Sequence, residues 1–227
     1  MKYGESAFDI LYLIIAVGAG VAILHRRKDG TARLMGAAVL ILGLGDAFHL
    51  VPRVLNYFVP ADFTLWLGLG KLVTSLTMTV FYVLVYYIWR ALYGAPENRA
   101  GTRLLYILAA VRALLCLLPQ NRWLQNGGSV LWGTVRNVPF VLLGAWIAVL
   151  WFRTRGERPG FRRVWLYVTL SFLFYIPVAV GASALPLLGM LMLPKTVCYI
   201  LLIAVFCRYA LGEDTESGGC PSVKTML

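Results

Sequence analysis

The stretch LILGLGDAFHLVPR, Leu40–Arg53, sets Asp46, His49 and Arg53 into an otherwise apolar run. Their i, i+3, i+7 spacing puts all three on one face of a helix. A carboxylate, an imidazole and a guanidinium in line can exchange a proton, hold an ion pair or orient a polar ligand. Downstream, Lys71 and Ser75 stand i, i+4 in GKLVTSLTMTVFY, the spacing that would let a lysine of lowered basicity activate a serine. Arg112, Arg136 with its neighbour Asn137, Tyr175 and Lys195 complete the set, again within apolar runs.

Those runs are the elements that must position the polar side chains. The chain has 227 residues, 60% hydrophobic and 14% charged, with a mean hydropathy of +0.76. Apolar blocks fall near 7–25, 34–52, 63–89, 104–118, 130–152, 164–182 and 187–207. Each meets or approaches the roughly 20 residues a helix needs to cross a bilayer. Strands are disfavoured, because a lipid-exposed sheet edge leaves backbone groups unpaired. The expected fold is all-α: one polytopic bundle of seven transmembrane helices over residues 1–211, then a short polar cytoplasmic tail, 212–227, whose composition predicts disorder. The leader MKYGES carries one lysine against one glutamate and does not read as a cleaved signal.

A net charge of +11 raises the question of nucleic acid, and the placement of the charges answers it. HRRKDGTAR holds four Lys/Arg, the loop from Arg90 to Arg103 three, and RTRGERPGFRR five, whereas the alternate loops and the N-terminus hold Lys2, Arg53 and Arg122. Basic residues gather on the cytoplasmic side. The pattern predicts a multi-pass protein of the inner or plasma membrane, N-terminus outside and C-terminus inside, with no nucleic-acid partner. The same loops can touch anionic headgroups.

Four cations remain inside the spans: Lys71, Arg112, Arg136 and Lys195, against Asp46 as the acid well inside one. Counted from the outer helix ends at 1.5 Å per residue, these five groups fall at one level, roughly 8–12 Å below the outer boundary. Intramembrane charges normally face the bundle interior or water. A surplus of positive charge there invites an anion. The sequence therefore points to an outward-facing cationic pocket that binds a small anionic solute or a lipid headgroup, in a transporter or receptor. Arg112 and Arg136 would give bidentate contacts, Lys71 and Lys195 point charges, and Asp46, His49, Ser75, Asn137 and Tyr175 the remaining lining. The bland alternative is that the long basic side chains snorkel to the headgroups.

Other chemistries compete. A membrane enzyme acting on a lipid-like substrate would use Lys71 with Ser75 or Asp46 with His49. A retinal-type photoreceptor would use Lys195, with Asp46 as counterion. Zinc hydrolysis is disfavoured because His25 and His49 are the two histidines; neither a metal nor a cofactor is expected. The strings GLGD and GLGK sit inside helices without a preceding strand, so their glycines serve close helix contact, not phosphate binding. The tryptophans Trp66, Trp89, Trp123, Trp132, Trp151 and Trp165 read as an interfacial belt. Cys116 and Cys198 lie in the outer halves of their spans, either bridged or buried as thiols.

TVFYVL (Thr79–Leu84) resembles TVCYIL (Thr196–Leu201), and each is followed by an arginine and a glycine. The pattern suggests two parallel three-helix halves joined by the fourth helix, a 3+1+3 repeat. Finally, GDAFHLVPR, GKLVTSLTMTVFY, WGTVRNVPF and MLMLPKT resemble strings of a functionally uncharacterised family of bacterial seven-helix integral membrane proteins. The resemblance spans the second to the seventh helix and implies a bacterial inner membrane, with no activity attached.

Overall fold

The computed structural model describes residues 2–26, 29–94, 99–181 and 185–212. Among them the chain is helical and without strands: α1 (Lys2–Arg26), α2 (Gly30–Phe58), α3 (Thr64–Tyr93), α4 (Arg99–Leu117), α5 (Val130–Arg153), α6 (Val164–Gly181) and α7 (Met192–Leu211). Short 3-10 turns cover Pro119–Asn121, Trp123–Gln125, Pro159–Phe161 and Pro186–Leu191. Seven helices among the described residues are long and apolar enough to cross a membrane. Of the tail expected at 212–227, residue 212 ends α7 and the rest lies outside the described residues.

The helices overrun the apolar blocks because hydropathy marks the greasy part of a helix, whereas its hydrogen-bond ladder continues wherever the polar ends find partners. At the N-terminal end of α1, Glu5 pairs with Arg53 and accepts from the Tyr57 hydroxyl at 3.1 Å, tying the first turns of α1 to the last turns of α2. At the other end of α2, the Asp29 carboxylate accepts from the Thr31 and Ala32 amides at 3.1 and 3.0 Å, an N-cap that satisfies two otherwise orphaned donors. α7 begins later than the apolar block at 187, because Pro186–Leu191 forms a 3-10 turn.

Successive helices pack side by side from α1 to α7, and α7 returns against α1 to close the ring. α3 also reaches α5 and α2 reaches α7, so the ring has a filled interior. Its centre is Tyr82 of α3, with the Phe140 and Phe172 rings at 5.4 and 5.1 Å and the Ser171 hydroxyl 3.1 Å from its own. The exterior is apolar as well: Ile14, Phe48, Leu114, Leu142 and Leu173 are exposed on five different helices. Side chains of that kind, displayed all round a bundle, suit hydrocarbon and not water.

Glycine lets α2 approach α3. A Cβ on Gly70 would stand 2.8 Å from the His49 Cα, and one on Gly45 would stand 2.6 Å from the Thr77 Cβ. The GLGD and GLGK strings thus do what their helical setting predicts. The tryptophan belt needs one correction. Trp151 is fully buried, edge-on to Tyr93 at 5.9 Å and tilted against Phe161 at 5.8 Å. It belongs to the core, because the Pro159–Phe161 turn folds back over it.

Candidate functional site

Arg112 is the best-held charge in the molecule. It is 1% exposed on α4 and makes bonds to two other helices. Its Nε donates to Thr79 Oγ1 of α3 at 3.0 Å, and its Nη1 donates to Asn137 Oδ1 and to the Arg136 carbonyl of α5 at 2.8 and 3.1 Å. The guanidinium carbon stands 3.8 Å from the centre of the Phe140 ring. Each acceptor is positioned in turn. Thr79 donates back to the Ser75 carbonyl at 2.9 Å, and the Asn137 amide nitrogen donates to the Gly133 carbonyl at 2.8 Å. Tyr175 of α6 donates its hydroxyl to the same Asn137 oxygen at 2.8 Å. Arg112 therefore knits α3, α4 and α5, and through Asn137 α6, with neutral oxygens and no carboxylate.

Arg136 points the other way along α5. Its Nη1 donates to Asn121 Oδ1 at 2.7 Å, and its guanidinium lies 4.4 Å above the Trp123 ring. Asn121 is itself buried and returns its amide to the Leu115, Cys116 and Leu118 carbonyls at 2.8, 3.2 and 2.9 Å, closing the orphaned end of α4. Trp123 donates its indole N–H to the Cys116 carbonyl at 2.7 Å. Sequence reasoning missed Asn121 and assigned Trp123 to the belt; both sit just past α4, where the last carbonyls needed donors. Cys116 and Cys198 are buried thiols, not bridged to each other.

Lys195 enters from α7. It is 6% exposed, and its ammonium stands 5.0 Å from the Tyr175 ring centre and 5.2 Å from that of Tyr199. It makes no hydrogen bond among the described residues, where the only ion pair within 4.0 Å joins Arg53 to Glu5. Lys195 lies within electrostatic range of both Asp46 and Arg112. Asp46, half-buried, accepts the Tyr12 hydroxyl of α1 at 2.7 Å.

The single face predicted for Asp46, His49 and Arg53 divides between neighbours. Arg53 turns to Glu5 and leaves the cluster, while Asp46 faces Tyr12. His49 keeps a buried Nδ1 with no partner among the described residues and lies within range of both Lys71 and Lys195. Lys71 is exposed, within range of Arg136 and Arg53. Ser75 donates to the Lys71 carbonyl at 2.7 Å, a bond within its own helix, and not to the Lys71 ammonium.

Comparison with known proteins yields no matching family model, no matching curated protein and no matching solved structure. The family resemblance accordingly rests on the sequence strings alone.

One acid was overlooked. Because α1 starts at Lys2 and not near residue 7, Asp9 lies a full two turns inside the helix; it is 5% exposed, with Oδ2 unpartnered among the described residues. Ser6, Asp9 and Tyr12, all buried, recur at i, i+3, i+6, a periodicity that was available to find it. The carboxylates Glu5, Asp9 and Asp46 all belong to the α1–α2 side. Arg112 and Arg136 belong to the α4–α5 side, and Lys195 lies between. Among the described residues no group of three or more His, Cys, Asp and Glu is arranged to hold a metal ion. A groove of about 210 Å³ between α5 and α6 has Asn137 and Tyr175 in its lining, with Thr134, Val138, Ile176 and Val180 around them.

Proposed function

We propose that this chain is an integral membrane transporter or receptor that binds the anionic group of a small solute or a lipid headgroup at its intramembrane cationic layer. Lys195 carries the reading: a buried ammonium beside two tyrosine rings, with no hydrogen-bond acceptor among the described residues and with both Asp46 and Arg112 in range. A buried cation without a hydrogen-bonded counter-charge is costly, and an anion that enters adds to what Asp46 supplies from within range. Arg136, Lys71 and His49 are the further groups that such an anion meets, since each has at least one other member of the cluster within electrostatic range. Arg112 has its Nε and Nη1 donors committed to neutral oxygens; it positions Asn137 and supplies field more than contact. The α5–α6 groove, open to the apolar exterior and lined by those two residues, supports access from the bilayer for a ligand with an acyl or alkyl chain.

The orientation belongs to the same proposal. The loops rich in arginine lie at the α1–α2, α3–α4 and α5–α6 connections, which supports an N-terminus outside and a C-terminus inside; the bacterial inner membrane rests on the family resemblance alone. The 3+1+3 repeat is part of it too: α1–α2–α3 and α5–α6–α7 each pack consecutively, with α4 between the triplets.

The test is thermal stabilisation of the purified full chain by inorganic phosphate, sulfate, acetate, decanoate and decyl phosphate. At least one of these is expected to raise the melting temperature saturably. Lys195→Met is expected to abolish the response and Arg136→Gln to weaken apparent affinity about tenfold, the loss of one charge-assisted contact. A response that survives both substitutions removes the proposal.

A further inference from the structure

The α5–α6 connection carries a second cationic feature, at the opposite end of these helices from Arg136 and Lys195. A cavity of about 430 Å³ is lined by Arg153, Arg155, Gly156, Pro159 and Arg162. Charges that only set topology need no particular arrangement; these three arginines surround one concavity. We propose that this cavity is a binding site for a phosphate group, the ligand class being a phosphomonoester or phosphodiester.

The frame of the cavity is rigid. Phe161, 2% exposed, anchors the 3-10 turn Pro159–Phe161 into the core, 5.8 Å from the Trp151 ring and 5.3 Å from that of Tyr209. On the other flank, Thr154 accepts the Trp89 indole N–H at 3.0 Å and donates to the Leu150 carbonyl at 3.2 Å. Arg155 is held in place as well: its Nη1 donates to the Phe152 carbonyl at 2.8 Å and its guanidinium lies 3.8 Å over the Phe152 ring. That leaves its other N–H groups for a ligand. The side chains of Arg153 and Arg162 are exposed and have no hydrogen bond or ion pair among the described residues. A rigid frame with several unspent guanidinium forks suits the tetrahedral oxygens of phosphate, which accept paired N–H donors. Glu157 is the one acid of this loop, exposed and outside the cavity lining, against the five arginines from Arg153 to Arg163.

Trp165 packs on Phe152 at 5.0 Å and Trp89 reaches Thr154, so indoles touch the two residues that flank Arg153 in the chain. Indoles concentrate at headgroup depth, and basic pockets at a cytoplasmic boundary take anionic headgroups. The phosphate can thus be lipid-borne or free, and the experiment separates the two.

The purified full chain in neutral detergent is titrated with short-chain phosphatidylglycerol, and bound lipid is counted by native mass spectrometry. Parallel titrations use inorganic phosphate and short-chain phosphatidylcholine. Arg155→Gln and Arg162→Gln are each expected to weaken phosphatidylglycerol binding about fivefold. Arg163→Gln and Arg103→Gln, which make the same charge change outside the cavity, are expected to leave it within about twofold. Competition by inorganic phosphate, lost in the same two variants, supports a free phosphate as the ligand; saturable lipid binding without such competition supports a headgroup. Equal losses in all four variants, or no loss in the first two, overturn the site. These substitutions are at exposed positions, and unchanged melting temperatures without ligand exclude misfolding as the cause.

Discussion

The α1–α2 side and the α4–α5 side of this bundle solve the problem of charge within apolar helices in opposite ways. On the α4–α5 side Arg112 and Arg136 are each met by neutral oxygens, from a threonine, two asparagines and a carbonyl, and each lies over an aromatic ring. On the α1–α2 side, carboxylates are met by hydroxyls and by one guanidinium: Asp46 by Tyr12, Glu5 by Tyr57 and Arg53. The lesson is that the interior acids and the interior guanidiniums are kept on different helix pairs, and that neutral acceptors let a cation stay charged without cancelling it. The field of Arg112 therefore remains available to whatever lies beside Lys195, which a tight carboxylate partner would have prevented.

The largest expected effect tests the guanidinium side. Arg112→Ala leaves Thr79 Oγ1 and the Arg136 carbonyl without their donor and opens a cavity beside Phe140. A loss of about 3–5 kcal/mol is expected, read by denaturant unfolding in mixed micelles; a loss under about 1 kcal/mol would show that Arg112 does not knit the helices together. Next comes the carboxylate side. Tyr12→Phe strips Asp46 of its hydrogen bond, with an expected cost of about 1.5–3 kcal/mol for a bond to a charged acceptor. If Tyr12→Phe proved as damaging as Arg112→Ala, the contrast between the two sides would disappear.

A smaller effect attaches to Arg53→Gln. Its ion pair with Glu5 is partly open to solvent, about a quarter exposed at each partner. The expected cost is about 0.5–1 kcal/mol, falling with added salt. Insensitivity to salt would mean that the pair is sheltered like the interior charges.

The smallest concerns Asp62, fully outside the layer. Its carboxylate accepts from the Thr64 amide at 2.9 Å, and hydrogen bonds from Thr64 hold its pKa below the ordinary carboxylate range. A depressed folded pKa adds stability above the unfolded pKa, and that stability is lost as pH falls through the folded value. Asp62→Asn is therefore expected to lower the melting temperature slightly at pH 7 and not at pH 2. A difference that persists at the acid pH would assign the effect to something other than the carboxylate charge.

Much of the bundle was legible from the chain. The seven apolar blocks match the seven long helices in number and order, because a block of hydrophobic residues that long has one backbone solution in lipid. The polar set was legible in part. Arg112, Asn137, Tyr175 and Lys195 do lie together, because charged residues in such helices turn away from hydrocarbon. Asp9 escaped notice because it falls at the edge of the first block, where composition alone reads as a helix boundary. Lys71 and Ser75 carried a plausible spacing, yet i, i+4 on one helix does not oblige two side chains to bond. A serine in mid-helix can donate to the carbonyl four residues back, and Ser75 does so.

By itself, then, the sequence determined how many helices form and roughly where each begins and ends. These follow from local composition and from a fixed rise per residue. Which oxygen each guanidinium takes, that Arg53 turns to Glu5, and that Lys195 finds no acceptor among the described residues were decided by how the helices turn and cross. Contacts as tight as Gly45 against Thr77 and Gly70 against His49 set those rotations. They are long-range steric facts, and no window along the chain contains both partners.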